Sequence, residues 1–188
     1  MASGLKRGMT YVELIVVLGI FSIMSAIVIF NYGEFQAKVD IKNLASDIAL
    51  KIVEAQKSSV EGVLPPVYPQ DWKPAYGVHF DIADNKSFVY FVDLDQDGYY
   101  DAHICSGEEC LDQIVITKNN SISNIDKCNV GGCAPINSSL SISFKRPDSS
   151  AIFFPKITGF DYVQITVQSP KSASATIKVY SSGRIQVN

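Results

Sequence analysis

The apolar positions of this chain change their spacing at about residue 31 and again at about residue 63. From residue 9 to residue 30 most side chains are apolar, and Glu13 is the only charged one. A helix over these residues would be about 33 Å long at about 1.5 Å per residue, and the hydrocarbon core of a bilayer is about 30 Å thick. The pattern therefore predicts a helix that lies in a membrane or in the apolar core of an assembly.

The helical period continues over residues 31–62, but on one face only. Apolar side chains recur there at three- and four-residue steps, with charged residues between them. The predicted stripe consists of Val39, Ile41, Leu44, Ala45, Ile48, Ile52 and Ala55. Gly62, followed by Pro65 and Pro66, ends the pattern, so we expect one helix of about 80 Å from residue 9 to about residue 61. Gly33 is the expected weak point between its halves.

Residues 63–188 are predicted to form one β-rich domain. Short runs rich in β-branched and aromatic side chains alternate there with turn residues. The runs cover residues 76–80, 87–92, 113–117, 140–144, 151–154, 162–167, 175–180 and 184–187. One long helix followed by a series of strands implies an α+β fold, with antiparallel sheets packed on the 44–55 face of the helix.

Charge distribution orients the first helix and limits the partners of the domain. Lys6 and Arg7 precede the apolar run, so the positive-inside bias places residues 1–8 in the cytoplasm and the domain outside. No small-x-small cleavage site closes the run, so an ordinary cleaved signal peptide fits poorly. The 16 basic and 19 acidic side chains give a formal net charge of −3, which argues against a general phosphate-binding surface.

Glu13 needs a partner, because a carboxylate in a membrane helix costs about 2.5 to 3.5 kcal/mol near the bilayer centre and less toward its edge. Cleavage between Gly8 and Met9 would create an α-amino group at the same depth. In a stack of identical helices that amine would meet Glu13 of a neighbouring copy. The carboxylate is therefore a candidate assembly contact.

Residues 6–13, running into the apolar segment, resemble the class III leader of type IV prepilins and pseudopilins. That family has a short basic leader ending in Gly, a hydrophobic residue after the cut, and Glu at the fifth mature position. The resemblance implies that prepilin peptidase cleaves between Gly8 and Met9 and methylates Met9, with Glu13 as the assembly residue. Met9 departs from the commoner Phe, and Tyr11-Val12 from Leu-Ile. The alternative is an ordinary signal anchor with an accidental Glu.

The resemblance also implies a type IV pilin-like fold and a plan of four segments. These are a leader, 1–8; a transmembrane or filament-core helix, 9–30; an amphipathic helix, 31–62; and a C-terminal extracytoplasmic β domain, 63–188. Residues 43–59 and 176–187 are similar to the GspH/FimT branch of minor pilins. A major pilin, a type II secretion pseudopilin and a tethered DNA- or surface-binding minor pilin are the alternatives.

Pilin membership implies both partners and location. The expected partners are copies of the chain and other pilins, prepilin peptidase, the inner-membrane assembly platform, and membrane lipid before assembly. The expected location is the cell membrane, crossed once with the N-terminus in the cytoplasm, and then an extracellular pilus or pseudopilus.

An acidic loop after the 87–92 strand is a candidate calcium site. Its expected ligands are the carboxylates of Asp93, Asp95, Asp97 and Asp101 and the backbone carbonyl of Tyr99. Alternating carboxylates, with a Gly that permits a sharp reversal, can converge on one hard cation. EF-hand position twelve is Ile104 rather than Glu, so Glu108 or Glu109 are candidate late ligands. The calcium would be structural; the alternative is a solvated acidic turn.

Cysteines lie outside the first helix in two Cys-x4-Cys units, Cys105 with Cys110 and Cys128 with Cys133. An exported location favours disulfides. Four cysteines allow three connectivities, of which the local pairs are the most natural, and a four-thiolate zinc site is the alternative. Either arrangement predicts a stapled loop region over residues 102–137. In pilins such regions lie on the filament exterior, which implies a role in adhesion.

The chain is not expected to be an enzyme. His79 lies in a strand pattern and His103 beside the acidic loop, with no Ser or Cys motif arranged around either. The nucleic-acid alternative depends on a weakly basic set in the C-terminal part, which is more typical of a solvated surface. That set comprises Lys145, Arg146, Lys156, Lys171, Lys178 and Arg184.

Overall fold

The computed structural model describes residues 10–64, 75–100, 105 and 108–188, without the side chains of residues 30 and 31. It contains one helix followed by ten strands. Their bounds are α1 Tyr11–Glu61, β1 Ala75–Phe80, β2 Ser87–Val92, β3 Cys110–Val115, β4 Ser121–Asn129, β5 Gly132–Pro135, β6 Leu140–Lys145, β7 Ala151–Phe154, β8 Tyr162–Gln168, β9 Ser174–Tyr180 and β10 Ile185–Val187.

Helix α1 is continuous over 51 residues. Thr10 caps its start, because the Thr10 hydroxyl oxygen accepts a hydrogen bond of 3.3 Å from the backbone N–H of Glu13. Gly62 ends it in the left-handed conformation, and its N–H donates to the carbonyls of Ser58 and Ser59. The predicted long helix and its stop at Gly62 are confirmed over the described residues.

The helix runs through Gly33 without a break, so the expected weak point is not an interruption of the helix. The ammonium of Lys171 lies where a Cβ on Gly33 would project. A side chain at this position would displace Lys171. Because the lysine side chain is flexible, it can move aside at little cost.

Ten strands form two five-stranded antiparallel sheets, which confirms the α+β prediction. The strand order is β3-β2-β1-β6-β7 in sheet one and β10-β9-β8-β4-β5 in sheet two. Helix α1 packs against β1 and β6 of the first sheet and against β8, β9 and β10 of the second. The C-terminal half of the helix therefore serves as the shared core element of both sheets.

The buried stripe of α1 follows the predicted period, with one correction. Ile41, Ala45, Ile48, Ile52 and Ala55 are buried against the sheets, and each large apolar side chain buried this way contributes about 1.5 to 3 kcal/mol. The prediction that Val39 belongs to this stripe is wrong, because Val39 is 37% exposed. At about 100° per residue it lies roughly 160° around the helix from Ile41.

Polar contacts also fix α1 to the domain. The Lys118 ammonium lies 2.7 Å from Oδ1 of Asp40, joining the β3–β4 turn to the helix. Further along, Nε2 of Gln56 donates to the carbonyls of Ser149 and Gly183, at 2.8 and 3.1 Å. The helix is therefore bonded to the domain at two positions along its length, Asp40 and Gln56.

The described part of the region 102–137 contains β3, which overlaps the predicted strand 113–117, and also β4 and β5, for which the expectation of a loop is wrong. Strand β4 escaped prediction because a bulge between Ile122 and Asn124 breaks the two-residue alternation. Its buried positions Ile122 and Ile125 are consequently three residues apart rather than two or four. Pairing with β8 forms the strand despite its Ser, Asn and Asp content.

The N-terminal half of α1 stands clear of the domain. Every described side chain from residue 11 to residue 29 is exposed except Ser25, which is half-buried. The helix is long and apolar enough to cross a membrane. This apolar surface and the loop after β2 are the two features with functional chemistry.

Candidate functional site: the apolar helix and the acidic loop

Glu13 lies in the first turn of α1, where the helix dipole favours a carboxylate by about 0.3 to 1 kcal/mol. Its backbone N–H is capped by Thr10, and its side chain is exposed. The carboxylate therefore sits at the end of the apolar half rather than in its middle. The predicted cleavage site at Gly8 and Met9 lies outside the described residues.

The acidic loop brings three of its predicted ligands together. One carboxylate oxygen from each of Asp93, Asp95 and Asp97 lies within 4.8 Å of the others. Oxygens that share one Ca²⁺ at 2.3 to 2.6 Å are separated by at most about 5 Å, so the spacing fits this ion. Asp101 and residues 102–104 lie outside the described residues.

Hydrogen bonds from backbone N–H groups of the loop hold these carboxylates in position. Backbone N–H groups of Asp97 and Tyr99 donate to Oδ1 of Asp95 and Oδ1 of Asp97, at 3.2 and 2.7 Å. The N–H of Gly98 donates to Oδ2 of Asp93 at 3.0 Å. Gly98 has a φ of 84°, which other residues rarely adopt. The sharp reversal predicted at this glycine is therefore present.

Asp93 differs from the other two carboxylates because it is 3% exposed, whereas Asp95 and Asp97 are open to solvent. Burial raises the pKa of Asp93 from 3.8 to about 6, against the opposing effect of backbone N–H groups from Gln96 and Gly98. The charges of Asp95 and Asp97 raise this pKa further. A bound cation would relieve both the burial penalty and the repulsion.

The loop rests on the outer face of sheet one, away from α1. Buried Tyr100 donates its backbone N–H to Oγ of Ser141 at 3.3 Å. Nδ1 of buried His79 lies 2.8 Å from the same Oγ, and the rings of His79 and Tyr100 are 5.4 Å apart. His79, placed in a strand by its sequence pattern, is thus a packing residue beneath the loop.

Glu109, one of the candidate late ligands, lies beside the loop. Its Oε1 accepts a hydrogen bond of 3.0 Å from the backbone N–H of Leu94, and its carbonyl accepts one of 2.9 Å from Val92. These bonds join the start of β3 to the end of β2. Glu108 is exposed.

The cysteines form the two local disulfides, Cys105–Cys110 and Cys128–Cys133, with Cα–Cα distances of 5.4 and 4.1 Å. Because all four thiols are paired and the pairs lie on different sheets, the four-thiolate zinc alternative is wrong. The first disulfide joins the segment after the acidic loop to β3. The second closes the β4–β5 hairpin, whose tip residue Val130 is fully exposed.

The weakly basic set does not form one patch. Lys178 lies over the ring of Tyr162 at 5.1 Å, and Arg184 over the ring of Tyr180 at 3.8 Å. These two rings are neighbours, with centroids 5.1 Å apart. Lys171 lies instead at the far end of the domain beside Gly33.

Two further cations complete this picture. Arg146 lies beside Gly62 at the end of α1. Lys127, which sequence reasoning missed, lies 5.1 Å from the ring centroid of Phe160. The β4–β8 pairing sets Lys127 opposite Val163, one position from Tyr162, and only the structure supplies that pairing.

The chain matches no protein-family model, no curated protein and no solved structure. The class is therefore defined by its architecture. This is an α+β protein with an exposed apolar helix able to cross a membrane, joined without interruption to a two-sheet domain with two disulfides.

Proposed function

We propose that this chain is a structural subunit of a type IV pilus or related filament, most similar to minor pilins of the GspH/FimT type. The single observation that carries the proposal is helix α1. Its first half is apolar and exposed on every side, and its second half is the core of a folded domain. One continuous helix thus joins an apolar surface that is unfavourable in water to a folded domain that lies in water.

Such a subunit exists first in the membrane and then in the filament, and in both places other apolar groups cover the apolar half of α1. The helix lies in the cell membrane before assembly, with the domain outside, and afterwards in a bundle of neighbouring helices. Each large apolar side chain moved out of water contributes about 1.5 to 3 kcal/mol, so either environment is strongly preferred to solvent. Prepilin peptidase and an inner-membrane assembly platform are the expected processing and assembly partners.

Glu13 sets the register of this assembly. Cleavage between Gly8 and Met9 supplies an α-amino group, methylated on Met9, that pairs with Glu13 of a neighbouring subunit. A charge-assisted contact offsets the cost of burying the carboxylate among apolar helices. Because the contact is head to tail, repetition produces an open helical fibre.

The acidic loop is assigned a structural Ca²⁺ held by Asp93, Asp95 and Asp97, with the Tyr99 carbonyl and Asp101 as further ligands. The 4.8 Å spacing of the three carboxylate oxygens supports this choice. Bound calcium neutralises carboxylates that repel one another. The loop itself stays fixed to sheet one through Tyr100 and Ser141.

A tethered binding module is the second candidate function. It is favoured by the adjacent pairs Lys178 with Tyr162 and Arg184 with Tyr180. Cations beside aromatic rings on one face suit a flexible anionic strand such as single-stranded DNA. Salt-dependent binding of a single-stranded oligonucleotide by the full chain in detergent, lost in Arg184→Ala, would support this role.

The test of the filament function compares two carboxylates of the same helix. Glu13→Ala should abolish incorporation into filaments in the producing cell, while Glu34→Ala, exposed beyond the apolar half, should leave incorporation unchanged. Mass spectrometry of the wild-type protein should report a mature chain that begins with N-methylated Met9. Normal incorporation of Glu13→Ala would contradict the proposal. A filament composed mostly of this chain would identify it as a major pilin.

A further inference from the structure

The turn between β8 and β9 lies next to the point where the apolar half of α1 ends. The ammonium of Lys171, in this turn, lies beside Gly33. Gly33 is about 5 Å along the helix axis beyond residue 30. Headgroups add about 5 to 8 Å on each side of a hydrocarbon core of about 30 Å. When residues 9–30 span the bilayer, this ammonium therefore lies at the depth of the headgroups.

Exposed tyrosines mark both ends of the membrane span. Tyr11 is 79% exposed and Tyr32 is 62% exposed. Their separation along α1 is about 32 Å, close to the thickness of the hydrocarbon core. Tyrosine is enriched at membrane–water interfaces, because its ring is apolar and its hydroxyl is polar. The spacing places Tyr32 at the outer interface, one residue before Gly33.

A groove opens just beyond this interface, between α1 and the segment before β9. Its volume is about 420 Å³. Phe35, Val39 and Ala173 give it apolar walls, and Lys38 and Lys42 also line it. Side chains of a helix lean toward its N-terminus, which is the direction of the membrane here. The groove thus presents apolar surface and cations to the headgroup layer.

Positive charge is in excess where α1 leaves the bilayer. Residues 31–42 and the two turns that contact them, 116–120 and 169–173, contain four lysines and two carboxylates. The carboxylate of Asp40 lies 2.7 Å from the Lys118 ammonium, so these two charges compensate each other. The remaining charges are three ammonium groups and one carboxylate.

The three remaining lysines are Lys38, Lys42 and Lys171. Within the part of the chain that the structure describes, none of them takes part in a salt bridge. All three side chains are exposed, as is the remaining carboxylate, Glu34. The lysines are therefore available to an anionic partner. We call Lys38, Lys42, Lys171 and the groove beside Phe35 the membrane-facing rim.

We infer that the membrane-facing rim binds the headgroups of anionic phospholipids, an inference that rests on the membrane placement in the proposed function. Phosphate oxygens accept hydrogen bonds from the ammonium groups, and the glycerol part of the lipid lies against Phe35. The domain packs on one side of α1, and membrane helices are tilted by about 20° on average. A tilt toward the domain brings Lys171 and the groove into the headgroups. Anionic lipid thus sets the direction in which the subunit leans before assembly.

Fluorescence quenching of the full chain in vesicles locates the rim. A nitrobenzoxadiazole label on Ser172→Cys lies in the β8–β9 turn, and one on Ser182→Cys lies in the β9–β10 turn, where Gly183 accepts a hydrogen bond from Gln56. Both serines are exposed. In an equal mixture of phosphatidylcholine and phosphatidylglycerol, a nitroxide on the lipid headgroup should quench the label at 172 strongly and the label at 182 little. Equal quenching would overturn the inference.

A charge substitution tests whether anionic lipid controls the contact. Each lysine near an anionic surface contributes about fivefold to binding, so Lys38→Gln/Lys171→Gln should lower the ratio of docked to undocked domain by about tenfold or more in the mixed vesicles. The control Lys57→Gln/Arg146→Gln removes two cations at the far end of the domain, where Arg146 lies beside Gly62, and should match the wild type. In pure phosphatidylcholine all three proteins should behave alike. Unchanged quenching at residue 172 in the first variant would contradict the role of the lysines.

The two proposals fail differently, because the vesicles contain no filament. If α1 inserts but the label at residue 172 stays unquenched, only the headgroup binding is overturned, and the incorporation test with Glu13→Ala stands. If alkaline carbonate extracts the full chain from the vesicles, α1 does not span the membrane, and the membrane step of the proposed function fails as well.

Discussion

The backbone N–H of Gly98 donates a hydrogen bond of 3.0 Å to Oδ2 of Asp93, five residues earlier in the chain. This bond closes the acidic loop over the outer face of sheet one and holds a carboxylate in a buried position. The consequence is electrostatic. Burial raises the pKa of Asp93 to about 6, so ionisation of this group opposes folding in the absence of a cation.

The raised pKa predicts how stability depends on pH when calcium is chelated. Between about pH 4 and pH 6 the folded state binds more protons at Asp93 than the unfolded state does, so stability falls as pH rises through this window. The contribution of Asp93 should be about 1.4 kcal/mol greater at pH 5 than at pH 7.5. Chemical unfolding in EDTA at both pH values measures it. An unchanged pH dependence in Asp93→Asn would contradict the raised pKa.

Calcium should stabilise the protein through the same loop at neutral pH. A free calcium concentration of about 100 times the Kd adds about 2.7 kcal/mol to the free energy of unfolding. Thermal unfolding with and without EDTA should show this gain in the wild type but not in Asp95→Asn. The matched control Asp161→Asn removes an exposed carboxylate elsewhere and should keep the gain. A calcium response retained by Asp95→Asn would count against the site.

Gly159 and Gly183 both have left-handed backbones, and comparing their Ala variants separates the cost of backbone strain from the cost of a steric collision. Gly183 has a φ of 82°, and a Cβ there would collide with the carbonyl oxygen of Ser149 and crowd Gln56. Gly159 has a φ of 79° and open space around it. We expect Gly159→Ala to cost about 1 to 2 kcal/mol and Gly183→Ala clearly more, measured by chemical unfolding. Equal losses would show that the collision with Ser149 adds no cost beyond the backbone strain.

Buried and partly exposed side chains of α1 should respond differently to truncation. Ile48→Ala leaves a cavity between both sheets and should reduce the free energy of unfolding by about 2 to 5 kcal/mol. Val39→Ala should cost clearly less, about 1 kcal/mol or below, because Val39 is already partly in solvent. Unfolding of the full chain in detergent compares them. A large loss for Val39→Ala would contradict its position outside the core.

The amino-acid sequence alone determined the features that depend on local spacing. The continuous helix, its end at Gly62 and eight strand positions follow from periodicity and turn residues, because these signals lie within a few residues of one another. Acidic residues around Gly98 and the two Cys-x4-Cys units are likewise local patterns. They indicated the loop and the disulfides before any contact was known.

Tertiary structure decided what depends on distant partners. Strand β4 forms because β8 pairs with it across a bulge. The polar composition of β4 does not by itself predict a strand. Asp93 becomes buried because the chain crosses sheet one above Ser141. Ser141 is 48 residues away in the sequence, so a local pattern could not predict this contact. Val39 and Ile41 lie roughly 160° apart around the helix, and the placement of the sheets decides which of these two sides is buried. Burial and register are set by long-range packing, so the sequence pattern alone could not assign them.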